Sequence, residues 1–200
     1  MGVTLDSTLS LHQHVINVCR VEYLELRRID SIRNILSIDA VKTLVCSLVL
    51  SRLDYCNFLL VGLPQYLMKR LQGVQNAEAR SILRTPRSKD IPPLLQNLHW
   101  LPVNRRTLNK VAALCHSSLS GSGPQYLSNL THVYTPPRSL LSSSDARILS
   151  TSNLKLKSYG QRSFAYHSPI TWNSLPLALK YQQESDCFKR ALKTHMFSLN

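Results

Sequence analysis

Apolar side chains recur every three to four residues through most of residues 1–120, the spacing of helices that bury one face. Val15, Val18, Cys19, Leu26 and Ile29 line one side of a helix predicted from about Leu11 to Arg33, with Ser10 placed to cap it. The pattern restarts at "LSIDA". Ser37 is a natural N-cap and Asp39 suits a first turn, so a second helix is predicted to about Val61, punctuated by Gly62 and Pro64. Pro64 opens a third helix to about Arg84, with Leu67, Leu71, Val74 and Ile82 as its stripe. "TPRSKDIPP" is a loop before a short helix near Leu94, and "LHWLPV" is a tight connection. The next helix, from about Asn104 to Leu119, presents Leu108, Val111, Ala112 and Cys115, and "SGSGP" ends it.

After Pro124 the periodicity breaks up. The chain becomes rich in Ser, Pro and Tyr, and short alternating pieces such as "LKLKS" and "SFAYH" predict one small hairpin or sheet. "ITWNSLP" reads as a packed turn. Ser185 is placed to cap a last helix with Phe188, Leu192 and Met196 inward. The expected fold is mainly α: a helical bundle over residues 1–120, with a short strand at Val3–Leu5, then a small irregular α/β appendage over 121–200.

Charge changes this picture from a generic bundle to one with a partner. The formal net charge is +13, with 24 Lys and Arg against 11 Asp and Glu. Residues 1–62 are net neutral, residues 63–110 carry +7 and residues 111–200 carry +6. A cationic surface beyond Leu63 points to an anionic partner, nucleic acid before an acidic membrane. On the third helix Lys69, Arg70, Arg80 and Arg84 fall within one arc of about 100°, opposite the apolar stripe. Arg87 and Lys89 extend the arc into the loop, and Arg105, Arg106 and Lys110 follow. Cations on one face neutralise phosphates without reading bases. Further along, Lys155, Lys157 and Arg162 interleave with Tyr159, Phe164, Tyr166 and Trp172. Phe164 and Trp172 are expected in a core, and Tyr159 and Arg162 are retained as contacts.

Several chemistries are disfavoured. The five cysteines are odd in number and lack any Cys-x-x-Cys pair, against a disulfide framework or a zinc ribbon; no metal or cofactor is expected. Reduced thiols and no secretory signal suit a nuclear or cytoplasmic protein. The longest apolar run, 41–63, holds Lys42, Arg52 and Asp54, too many charges for a bilayer span. Within it "SRLDYC" gathers an arginine, an aspartate and a cysteine. On an uninterrupted helix Arg52 sits centrally on the apolar face with Val41, Val45, Leu48, Cys56 and Leu59, while Asp54 lies about 200° away. Such spacing denies a catalytic dyad, and the three are expected to be scaffold. Arg52 then needs a partner, and Glu78, at the centre of the third helix's apolar stripe, is the expected one. The alternatives are backbone carbonyls or Asp30.

"SRLDYCNFLLVGLPQYLMKRLQGVQNAEAR" resembles the segment downstream of the polymerase active site in non-LTR retrotransposon (LINE) reverse transcriptases of the chicken-repeat and jockey-like group. The resemblance continues through "LHWLPV", "YTPPRSL", "SYGQRSFAYHSPITWNSLP" and "FKRALKTHMFSL", and takes in the opening "GVTLDSTLSLHQHV". It spans essentially the whole chain, as six blocks in order. It implies a thumb and C-terminal region that grips template RNA and primer duplex. The family's palm carries paired aspartates for two Mg²⁺, and this chain has no Asp-Asp, so no polymerase activity is expected of it. Met1-Gly2-Val3 stands where the family usually has Leu-Gly-Val, which implies an internal Met used as a start. Glu78 stands where relatives tend to have Ala, Gly73 where they have Arg or Lys, and Gln161 where they have an acid.

The expected function is therefore sequence-independent binding of RNA or DNA backbone by a non-catalytic, thumb-like fragment, with no small-molecule substrate and no membrane partner. The alternatives are a helical module that binds an acidic protein, and a retroelement remnant with no function.

Overall fold

The computed structural model describes residues 2–135, 147–151 and 160–199. The protein is mainly helical, and it divides into two compact units, Met1–Arg106 and Thr107–Asn200. The division falls inside α6 (Val103–Leu119) rather than after it at residue 120. Val103 belongs to the first core, whereas Val111, Ala112 and Cys115 are buried residues of the second unit.

The first unit is built on α1 (His12–Ile32) and α4 (Gln65–Leu83). The entry to α1 is tied by Asp6, whose carboxylate accepts from the Ser10 N–H at 2.6 Å and the Ser10 hydroxyl at 2.8 Å. The Ser10 backbone bond is the chief reason that the Asp6 carboxyl titrates as low as about 2. The Ser10 oxygen in turn accepts from the His12 N–H at 3.2 Å, but Ser10 is not the expected cap: Leu11, left-handed at φ 56°, holds the N-cap position, and its side chain makes no capping bond. Val3–Leu5 forms no strand: among the described residues no second strand takes its ladder bonds, and the Thr4 N–H donates instead to His14 Nδ1.

Ser37 caps α2 (Ile38–Val45), its hydroxyl accepting from the Ala40 N–H at 3.2 Å. From here the structure departs from the expected helix to Val61. A π-helical turn, Cys46–Leu50, is followed by α3 (Ser51–Asp54). Tyr55 is then extended and Cys56 is left-handed (φ 52°), before a 3₁₀ turn at Asn57–Leu60. The π turn accommodates one extra residue. The inward set accordingly shifts from the expected Leu48, Arg52, Cys56 and Leu59 to Val49, Leu53, Asn57 and Leu60. Arg52 moves off the apolar face to a half-buried position, and Cys56 lies outside any helix.

On α4, Leu67, Leu71, Val74 and Ile82 are buried as expected, and Arg84 closes the helix in a left-handed conformation. α1 and α4 run parallel. His12 meets Tyr66 at 3.2 Å, Tyr23 lies over Gly73, Ser81 donates to Asp30 at 2.6 Å, and Arg33 donates to the Ile82 carbonyl at 2.8 Å. α5 (Ile91–Asn97) completes this core with Leu94 and Leu95, joined by Leu98 and Trp100 from the turn that follows it.

In the second unit, α7 (Gln125–Ser128), α8 (Phe164–Asn173), α9 (Leu177–Lys180) and α10 (Ser185–Ser198) accompany α6. The expected small sheet is not found among the described residues, which hold a single antiparallel bridge between Val133 and Leu149. "SFAYH" is the start of α8, although Pro169 lies inside that helix. Period-two alternation over five residues misled here, because half-turns of a helix that is apolar nearly all round give the same short pattern. Trp172 is 1% exposed, while Phe164 is half-buried rather than in the core. Phe188, Leu192 and Met196 of α10 point inward as expected. "LKLKS" overlaps residues outside the described set.

Candidate nucleic-acid interface

α4 presents two unlike sides. At 100° per residue, Tyr66, Lys69, Arg70, Gly73, Ala77 and Arg80 share the side away from Leu67, Leu71 and Val74. Lys69 and Arg70 are exposed, as are Arg84, Arg87 and Lys89 beyond the helix. Arg80 is half-buried, donating to the Arg87 carbonyl at 3.3 Å, and so ties the loop back to the helix. Arg84 reaches the Arg33 carbonyl at 3.4 Å. The one acid of α4, Glu78, is fully buried, so the exposed side of this helix carries no negative charge.

Arg106 does not belong to the open surface. Its guanidinium clasps Asp54 through both carboxylate oxygens at 2.9 and 2.7 Å, its Nε donates to the Leu101 carbonyl, and it lies 5.8 Å from the centre of the Trp100 ring. Asp54 thus finds a partner 52 residues away rather than along its own helix. Substituting Arg106→Ala should lower stability by about 1 kcal/mol, a modest value because Asp54 is partly solvated. It should leave the salt dependence of nucleic-acid binding unchanged, which a urea titration beside a binding series will read. Arg105 is half-buried in the first unit. Lys110, exposed, and Arg162, half-buried, are residues of the second. Lys155, Lys157 and Tyr159 lie outside the described residues.

The expected Arg52–Glu78 pair is not formed. Arg52 instead approaches Glu25 at 3.9 Å, and Glu25 also holds Arg28 at 3.1 Å. Beyond the π turn Leu53 takes the inward place, and Arg52 is half-buried beside α1. Glu78 therefore sits in the interior with neither carboxylate oxygen hydrogen-bonded, and so does Glu22 of α1. Burial pushes the Glu78 carboxyl up to about 8 and that of Glu22 up to about 9. For Glu22 the charge of Glu78 adds to burial: Glu78 ionises first, and its charge then holds the proton on Glu22. Near neutral pH both are protonated.

The thiols behave as core. Burial raises Cys19 to about 11 and Cys115 to about 12, so both stay protonated and are poor nucleophiles. His116 is buried, stacked on Phe188 at 4.1 Å with Nε2 on the Gln182 carbonyl at 2.8 Å. It borders a cavity of about 440 Å³ in the second unit, also lined by Leu149, Trp172 and Arg147 and by none of the residues expected to bind nucleic acid. Among the described residues no cluster of three or more His, Cys, Asp or Glu side chains is arranged to hold a metal ion, and no helix is long and apolar enough to cross a membrane.

Four exposed residues that charge counting passed over adjoin this face. Tyr66 is on it, and Tyr23 reaches it from α1, flanked at i−3 and i+4 by the exposed Arg20 and Arg27. Net neutrality of residues 1–62 hid these arginines, because the balancing Glu22 is buried and Asp30 is engaged with Ser81. In comparisons with protein families, curated proteins and solved structures, no match to this chain is found.

Proposed function

We propose that this protein is a non-catalytic, thumb-like portion of a LINE-type reverse transcriptase that binds the backbone of RNA or DNA through the outer side of α4. One observation carries the binding proposal. Lys69, Arg70, Arg84 and Arg87 are exposed on or beside a helix whose single acid is turned into the core, so the cationic face is uncompensated. Such a face attracts polyphosphate and releases its counterions. The retroelement origin rests on the six sequence blocks that resemble that family. A module for an acidic protein partner would use the same charges.

Binding of a structured RNA and of duplex DNA, measured by fluorescence anisotropy from low to moderate salt, tests the proposal. Affinity should fall steeply with salt. The charge reversal K69E/R70E should weaken binding to every sequence alike and make the log–log salt slope shallower by about 2, one for each lost phosphate contact. Absence of binding at low salt removes the proposal and favours the protein-partner alternative.

A further inference from the structure

Tyr23 is 40% exposed and Tyr66 54% exposed, and several other tyrosines are exposed too; what sets these two apart is where they stand. Both lie on the cationic side of α4. Tyr66 belongs to that face directly, and its hydroxyl meets His12 Nδ1 at 3.2 Å, which props the ring against α1. Tyr23 arrives from α1 and crosses onto α4 at Gly73: a Cβ built on Gly73 would stand 3.3 Å from the Tyr23 hydroxyl. A residue with a side chain there would crowd the phenol. Gly73 is seven residues after Tyr66 on the same face, which separates the two aromatic positions by about 10 Å along the helix axis.

Cations sit between and beyond them. Arg70 lies four residues after Tyr66 and three before Gly73, and Arg80, seven residues after Gly73 on the same side, holds the Arg87 carbonyl at 3.3 Å and so brings Arg87 to the far end of the face. The order along the face is aromatic, cation, aromatic, cation. A surface that only neutralised phosphates would gain nothing from exposed rings. A surface that holds an unpaired strand needs them, because bases released from a duplex offer flat faces for stacking while the backbone follows the charges. The spacing of about 10 Å is the length of about three stacked nucleotides at ~3.4 Å each.

From this juxtaposition we infer that the exposed side shared by α1 and α4 is a site for single-stranded nucleic acid, with Tyr66 and Tyr23 as stacking platforms and Arg70 and Arg87 as phosphate contacts. The inference rests on the proposed nucleic-acid function and sharpens its ligand to an unpaired strand. Either RNA or DNA supplies the shared chemistry of base face and phosphate.

The test compares oligo(U), oligo(dT) and a mixed-sequence duplex, each about twelve nucleotides or base pairs long, within the site sizes common for unpaired strands. The full chain and its Y23L, Y66L, Y23F and Y66F variants are titrated at one low salt concentration. Each leucine variant should weaken single-strand binding about fivefold or more, the lower range for loss of one stacked base. Duplex affinity should change by about twofold or less, which also reports that the variants are folded. The phenylalanine variants keep a ring and should recover most of the single-strand affinity. A stronger effect on oligo(U) than on oligo(dT) identifies RNA as the ligand, and equal effects identify an unpaired strand of either sugar. If both variants leave single-strand binding unchanged, or weaken strand and duplex equally, the stacking site is overturned while backbone binding stands. If the unaltered protein binds none of the three, both proposals fall.

Discussion

Raising the pH from about 5 to 9 should destabilise the fold by several kcal/mol through two side chains. Unfolded, Glu22 and Glu78 ionise near their usual value of 4.5; in the fold they hold their protons to about 9 and about 8. Between those limits the folded state keeps protons that the unfolded state has released. Stability is therefore complete below about 4.5 and declines as pH rises, by about 3 kcal/mol for each group at pH 7 given 1.36 kcal/mol per pH unit. Both residues are 0% exposed, so solvent screening does not reduce the effect. Urea denaturation of the unaltered protein and of the E22Q/E78Q variant across this range checks it. The difference between the two proteins isolates these groups from His14 and His167, whose burial works in the opposite direction at the acid end. The variant should show a nearly flat profile above about pH 7, fall toward pH 5 through His14 and His167, and exceed the parent in stability by the largest margin at pH 9. Parallel profiles would mean that neither carboxyl is buried.

Replacing Trp172 by alanine should cost about 3–5 kcal/mol, as for other fully buried large aromatics. The ring is 1% exposed, 6.0 Å from Phe188 and 6.4 Å from His116, and it joins α8 to the residues packed around α10. Its Nε1–H also donates to the Arg147 carbonyl at 2.8 Å. The Trp172→Phe variant separates the two contributions. It keeps most of the apolar contact and loses one hydrogen bond to the carbonyl of an exposed residue, so it should cost about 1 kcal/mol, the net value of such a bond. Urea midpoints rank the three proteins, and amide exchange should accelerate first in α8 and α10. Equal stability of all three would place the indole outside the core.

Of the two buried carboxyls, only one had a trace in the sequence. Glu78 stands out because it interrupts an apolar stripe on the third helix. Glu22 does not, since an acid among Arg20, Arg27 and Arg28 looks like an ordinary solvated position. What buries it is the parallel packing of α1 on α4, a contact between residues about fifty apart in the chain. The tyrosines of the candidate site share this property. Tyr66 falls on the cationic arc by helical geometry alone, but Tyr23 joins it only because Gly73 leaves room for the phenol.

The chain's own periodicity determined the helical class, the buried stripes of α1, α4, α6 and α10, the Ser37 cap and the cationic side of α4, because each depends on residues within a few turns of one another. Tertiary structure alone decided which charges meet. A single extra residue accommodated at Cys46–Leu50 rotates the next turns of the chain, so Leu53 takes the inward place expected of Arg52, Cys56 leaves the helix, Arg52 turns to Glu25 and Glu78 is left without a partner. A wheel of constant pitch cannot anticipate that shift.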